Sequence, residues 1–116
     1  MDERTFKHRT KCFALEIMRL IESLPRSKVG DVIGRQLLRS GTSVAAHARE
    51  SSRARSDNEF CSKLDGLLQE ADESHLRIEL LRDDCGIQGD PIEHLHRETG
   101  ELIAIFTTIV SKLRKL

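Results

Sequence analysis

The chain has 116 residues and a mass of 13.2 kDa, which is enough for one domain with a single core. Hydrophobic residues make up 38% and charged residues 33%, which excludes both a disordered chain and an integral membrane protein. With 4 Phe, no Trp and no Tyr, the chain lacks the aromatic rings that a module needs to read single-stranded bases by stacking. No apolar run is long enough to cross a bilayer and no signal peptide is visible, so we expect a cytoplasmic protein without membrane contact.

The charges are unevenly distributed, although 19 basic and 19 acidic side chains give a formal net charge of zero. Residues 64–94 carry two basic and nine acidic groups, whereas the other stretches are mildly basic. A neutral total does not favour a general polyanion binder, but segregated charge permits a local basic patch. Segregation also suits self-assembly, because an acidic face of one subunit can meet a basic face of the next.

Apolar residues recur with the period of a helix along almost the whole chain, and no strand pattern is present. The first helix is predicted from about Glu3 to Leu24, because Pro25 cannot continue it. Its apolar face consists of Phe6, Phe13, Ile17, Leu20, Ile21 and Leu24.

The second helix is predicted to begin after an N-cap at Ser27 and to run to about Ser52. Gly41 and the Ser and Thr residues beside it weaken this segment, so we expect one helix bent near Gly41 or, alternatively, two short helices. Several small residues along it predict close contact with a neighbouring helix. Its apolar face consists of Val29, Ile33, Leu37 and Leu38, followed by Val44, Ala45, Ala46 and Ala48.

The third and fourth helices have clear start signals. Ser56 and Glu59 form a capping box, and Gly86 is the expected left-handed residue after the third helix. Asp90 is the predicted N-cap of the fourth helix, and a proline follows it. Four helices with short connections predict an all-α fold, an antiparallel up-down-up-down four-helix bundle in a single domain spanning residues 1–116.

Patterns for metal binding are weak. Three widely spaced cysteines without a Cys-x-x-Cys pair predict buried free thiols at Cys12, Cys61 and Cys85. His94 and His96 are two residues apart, so on a helix their side chains point in different directions.

Asp72, His75 and Glu79 share one face of the third helix, and we interpret that strip as solvated rather than as a ligand set. The sequence has no phosphate-cradling Gly-rich loop and none of the Arg-to-His spacings typical of helical-bundle ribonucleases. We therefore expect no metal, no cofactor and no enzymatic activity.

The strongest remaining signal is a run of arginines in and after the second helix. Arginine presents a planar fork that suits phosphate or carboxylate groups. One interpretation is a solvated face or ion pairing with the acidic third helix, and the other is contact with nucleic acid. The candidate nucleic-acid-binding residues are Arg35, Arg39, Arg49, Arg53 and Arg55.

Two segments make the chain recognisable: IGRQLLRSGTSV at residues 33–44 and QEADES at residues 69–74. Together with Leu24-Pro25 and the RARS segment at residues 53–56, they resemble the bacterial four-helix-bundle family named for open reading frames in intervening sequences of 23S rRNA. The resemblance extends from about Phe6 to Leu113.

The resemblance implies a closed ring of bundles, typically a homopentamer. It also implies kinship with the accessory variability protein of diversity-generating retroelements, a pentameric barrel that binds nucleic acid and a reverse transcriptase. The residues that match the family's two motifs are Arg35, Arg39, Ser40, Gly41, Thr42 and Ser43 in the first, and Glu70, Ala71, Asp72 and Glu73 in the second.

Two functional hypotheses follow. The first is a non-enzymatic oligomeric scaffold that binds nucleic acid, in particular structured RNA, through basic patches repeated by symmetry. The second is a protein-only adaptor, for example for a retroelement reverse transcriptase. In that case the acidic residues of the third helix, Glu70, Asp72 and Glu73, would form the partner or subunit contact.

Overall fold

The computed structural model describes residues 3–115, which form four long helices and one short π-helix. The helices are α1 (Glu3–Ser23), α2 (Lys28–Ser51), α3 (Asp57–Glu79) and α4 (Asp90–Arg114), and the π-helix (Leu80–Asp84) directly follows α3. The molecule is elongated, 47 × 21 × 21 Å.

Each helix is antiparallel to the next, as the sequence predicts for an up-down-up-down bundle. Contacts between helices define the register: Ile17 lies beside Gly41, Ser74 contacts Ser40, His96 contacts Glu79, and Arg9 contacts Glu98. The start of α1, the end of α2, the start of α3 and the end of α4 therefore lie at one end of the bundle.

Two predicted helix caps are confirmed. The Ser27 hydroxyl accepts a hydrogen bond from the Gly30 amide at 2.9 Å, and the Ser56 hydroxyl accepts one from the Glu59 amide at 3.1 Å. Each bond satisfies one of the amides that have no partner in the first turn of a helix.

The segment around Gly41 does not break α2, which is continuous from Lys28 to Ser51. The hydroxyls of Thr42 and Ser43 each donate to a backbone carbonyl of the preceding turn at 2.8 Å, so they do not compete with the helix. Gly41 itself is buried against Ile17, and its missing side chain allows α1 to approach α2 closely. The alternative of two short helices is wrong.

The α3–α4 connection differs from the prediction in two places. The chain leaves α3 through the π-helix rather than in α-helical geometry as far as Cys85, although Gly86 adopts the expected positive φ of 74°. Asp90 is not the N-cap. Gly89 takes that position with φ 124°, and its carbonyl accepts from the Glu93 amide at 3.3 Å, so Asp90 lies inside the first turn.

The core is formed by the predicted apolar face of α1 and by apolar residues of α3 and α4, whereas α2 is rotated from its expected position. Val29 is 62% exposed and Leu38 37% exposed, although both were predicted to face inward. Small residues take the inward positions because α2 packs closely against its neighbours, namely Gly30, Gly34, Ser40, Gly41, Ala48 and Ser51 together with Leu37 and Val44. The three cysteines are free thiols as predicted, yet only Cys61 is buried.

A pair of glycine variants tests this packing. Gly100→Ala in α4 should raise the free energy of unfolding by about 0.5–1 kcal/mol, because alanine favours helix and a Cβ there meets no atom within 4 Å. Gly41→Ala is the matched control, since its Cβ would press on buried Ile17. Urea denaturation should show stabilisation only for Gly100→Ala, and an equal gain for Gly41→Ala would contradict the close α1–α2 contact.

Candidate nucleic-acid interface

The two distinctive sequence segments face each other across α2 and α3. Arg39 donates hydrogen bonds to Glu70 at 3.1 Å and to Glu73 at 3.3 Å. The next residue on each helix lies in the core: the Ser74 hydroxyl donates to the Ser40 hydroxyl at 2.8 Å, and both residues are fully buried. The segments therefore form a single polar contact that joins α2 to α3.

This contact occupies three of the predicted site residues. Arg39 was a candidate for nucleic-acid binding, and Glu70 and Glu73 were candidates for partner contact, but here they bind one another. Glu70 is largely buried, with 12% of its side chain exposed. Arg39 therefore forms ion pairs with the acidic third helix, which was one of the two interpretations of the arginines in the sequence.

Arg77 extends the same contact from α3. Its guanidinium donates to the backbone carbonyl of Gln36 at 3.2 Å and lies 3.9 Å from Glu73. Two arginines from opposite helices thus share Glu73. Ion pairs of this exposure contribute up to about 1 kcal/mol each, so they orient the helices more than they stabilise them.

Arg35 lies apart from the other predicted arginines. It is exposed near the start of α2, on the rim of a shallow depression beside the α1–α2 turn. Leu24 and Gly34 line the depression, and neighbouring Arg26 pairs with Asp31 at 3.4 Å.

Arg49, Arg53 and Arg55 lie together at the end of α2 and in the turn that leads to α3. All three are exposed, and none has an ion-pair partner among the described side chains, those of residues 5–115. Four exposed lysines at the same end also have no ion-pair partner within the described part of the chain: Lys7 and Lys11 in α1, and Lys112 and Lys115 at the end of α4. We call these seven residues the basic end.

The opposite end of the bundle is acidic. It carries Asp83 and Asp84 in the π-helix, and Asp90 and Glu93 at the start of α4. Acidic groups are therefore concentrated towards this end and basic groups towards the other, where Asp57 and Glu59 of α3 are also exposed. The sequence did not indicate the four lysines of the basic end, because they lie near the two ends of the chain. Only the antiparallel topology brings them to the same end of the bundle as the arginines.

Asp72 is the one residue of the predicted acidic set that is exposed and unpaired within the described residues. It lies on α3 one turn before Leu76, which is 56% exposed. The carboxylate and the leucine thus present a small mixed surface that the α2–α3 contact does not use.

The two neighbouring histidines of α4 point in different directions, as their sequence spacing predicts. His94 pairs with Glu16 of α1 at 2.8 Å, whereas His96 pairs with Glu79 of α3 at 2.9 Å. Glu93 and His96 have the spacing of a Glu-x-x-His pair, but Glu93 binds Arg82 at 3.1 Å. Helix α4 therefore directs one histidine towards α1 and the other towards α3.

No helix within residues 3–115 has the length and apolar character needed to cross a membrane.

Comparison with known proteins identifies the family. The family model described as 23S rRNA-intervening sequence protein matches residues 4–108. A solved structure of a protein of unknown function from the S23 ribosomal protein family of Bacteroides thetaiotaomicron VPI-5482 is 31% identical to this chain, with a TM-score of 0.84. The similarity covers 96% of this chain and 99% of that one, and no curated protein matches. The chain therefore belongs to the 23S rRNA-intervening sequence protein family.

Proposed function

We propose that this protein is a non-enzymatic, homo-oligomeric scaffold that binds RNA through the basic end of its bundle. The observation that carries the proposal is the clustering of Arg49, Arg53 and Arg55 at one end of the bundle, where all three are exposed and make no ion pair within the described residues. They differ in this from Arg39, which contacts two carboxylates of α3. The family description refers to an intervening sequence of 23S rRNA, which makes RNA the polyanion to test first.

Oligomerisation would explain how a chain of zero net charge holds a polyanion. One basic end offers seven cationic side chains, which alone would bind RNA weakly at physiological salt. Joining several copies in a closed ring, as the resemblance implies, makes the later contacts intramolecular and raises the overall affinity.

The salt dependence of RNA binding tests the assignment of residues. The double variant Arg49→Ala, Arg53→Ala should bind RNA more weakly, and its plot of log affinity against log salt should be flatter. If each arginine neutralises one phosphate, the slope should fall by roughly 1.4–1.8 per subunit engaged.

Arg19→Ala is the matched control for this measurement. Arg19 is exposed on α1 and has no ion-pair partner within the described residues, but it lies towards the acidic end. Its removal should leave the slope unchanged. An unchanged slope in the double variant would show that the basic end does not contact RNA. An equally large decrease of the slope in Arg19→Ala would show that the effect is not specific to the basic end.

A protein-only adaptor is the second candidate, and exposed Asp72 beside exposed Leu76 favours it. Asp72→Lys should leave the free energy of unfolding within about 0.5 kcal/mol of the original value, because the side chain makes no ion pair within the described residues. Capture of a reverse transcriptase from the same genome should then be lost, as measured by co-purification.

Glu70→Lys with Glu73→Lys is a poor test of the adaptor. Both substitutions would place a positive charge against Arg39, so they should destabilise the α2–α3 contact itself. Retained capture by Asp72→Lys would contradict the adaptor interpretation.

A further inference from the structure

A second cluster of side chains lies where α3 ends and α4 begins, at the opposite end from the RNA-binding surface. His75 and Glu79 are four residues apart on α3, and His96 reaches them from α4. One ligand atom from each of the three lies within 4.8 Å of the other two. All three side chains are half-buried, so the position between them is shielded but open to solvent.

The geometry of the cluster suits a small metal ion. His96 Nε2 lies 2.9 Å from Glu79 Oε2, and the rings of His75 and His96 are stacked with centroids 4.4 Å apart. Ligand atoms around a tetrahedral zinc ion are about 3.3 Å from one another, given bond lengths of about 2.0–2.1 Å. To reach that spacing the three atoms, now within 4.8 Å of one another, would have to approach and the stacked rings would have to turn towards a common point.

The charges around the cluster favour a cation. Glu79 supplies the one carboxylate among the three candidate ligands. Arg82 is the nearby cation, but its guanidinium binds Asp83 at 2.8 Å and Glu93 at 3.1 Å, which offsets its charge.

Two further features single the cluster out. His75 has no hydrogen-bond partner within residues 3–115, so its ring nitrogens are free to ligate. The π-helix begins at Leu80, the residue directly after Glu79, and such wide turns occur frequently at functional sites.

We propose that His75, Glu79 and His96 form a binding site for a divalent transition-metal ion, with Zn²⁺ as the expected ion. Imidazole and carboxylate are ligands that zinc accepts, and three protein ligands leave a fourth position for water or another donor. Bound zinc would link α3 to α4 across the π-helix and the following turn. The sequence could not indicate this set, because its third ligand is on a different helix.

Calorimetric titration of the untagged protein with zinc chloride at neutral pH tests the proposal. We expect one zinc ion per subunit. His96→Ala should bind zinc at least tenfold more weakly, because loss of even an indirect partner of a metal ligand costs 10–100-fold in affinity. Zinc should also raise the melting temperature of the original protein and not that of His96→Ala.

Three controls keep the test specific. His75→Ala removes a ligand that makes no hydrogen bond in the described structure, so it should fold and still lose zinc affinity. His94→Ala changes a histidine two residues from His96 that pairs with Glu16 instead, and its zinc affinity should be unchanged. Cobalt(II) in place of zinc should give no thiolate charge-transfer band, because the cysteines are not ligands.

Absence of zinc binding by the original protein would overturn the proposal. Unchanged zinc affinity in both His96→Ala and His75→Ala would place the metal elsewhere and would also overturn the proposal. A thiolate charge-transfer band with cobalt(II) would do the same, because it would show a cysteine ligand. RNA binding by the basic end is a separate measurement, and neither result decides the other.

Discussion

Replacing Arg49, Arg53 and Arg55 together with glutamate is expected to abolish RNA binding without unfolding the protein. The three side chains are exposed and make no ion pair within the described residues, so their replacement should change the free energy of unfolding by less than about 0.5 kcal/mol for each site. Three attractive contacts with phosphate become three repulsive ones in every subunit. We expect the affinity to fall by roughly a hundredfold or more at physiological salt.

Filter binding or fluorescence anisotropy with a labelled structured RNA would measure this loss. The matched control is the triple lysine variant, which keeps the charge but removes the planar fork. It should retain most of the affinity if phosphate attraction dominates. RNA binding by the triple glutamate variant at the original affinity would show that the basic end is not the interface.

The largest expected effect on stability comes from Phe106→Ala. Phe106 is 1% exposed, and its ring packs against Phe6 with centroids 5.0 Å apart. Helices α1 and α4 contact each other less than the other neighbouring helices do. This ring pair is therefore an important apolar contact between them, beside the ion pairs of Arg9 with Glu98 and of His94 with Glu16. Removal of the ring should cost about 3–5 kcal/mol.

Urea denaturation measures that cost, and hydrogen exchange locates it. The amides of α1 should lose protection before those of α2 and α3, because α1 loses part of its attachment to α4. Leu76→Ala is the control, since that side chain is 56% exposed and should cost less than about 0.5 kcal/mol. A cost below about 1 kcal/mol for Phe106→Ala would contradict the described packing.

The parts of the fold that local chemistry determines were predictable from the sequence. Pro25 ends the first helix, and the hydroxyls of Ser27 and Ser56 cap the next two because each lies three residues before an amide that needs a partner. The π-helix at Leu80–Asp84 has no comparable signal, since it contains no proline or glycine and no side chain caps it. Asp90 was misplaced by one position because Gly89 can adopt the positive φ that begins the helix.

The interactions between helices were less predictable, because they depend on register. The sequence identified Arg39 and the acidic residues of α3 as notable, but that Arg39 contacts Glu70 and Glu73 follows only from the antiparallel alignment of α2 and α3. The same holds for His96, which is far in sequence from His75 and beside it in space. Spacing along one helix does not reveal ligands or partners on another.

Size-exclusion chromatography of the untagged protein, with light scattering and ultraviolet detection, is the most direct test of an RNA-binding oligomer. The chain has no Trp or Tyr, so absorption near the nucleic-acid maximum in the protein peak would report bound nucleic acid. We expect a protein mass near five times 13.2 kDa, together with absorption that ribonuclease removes. A single-subunit mass with no such absorption would contradict it.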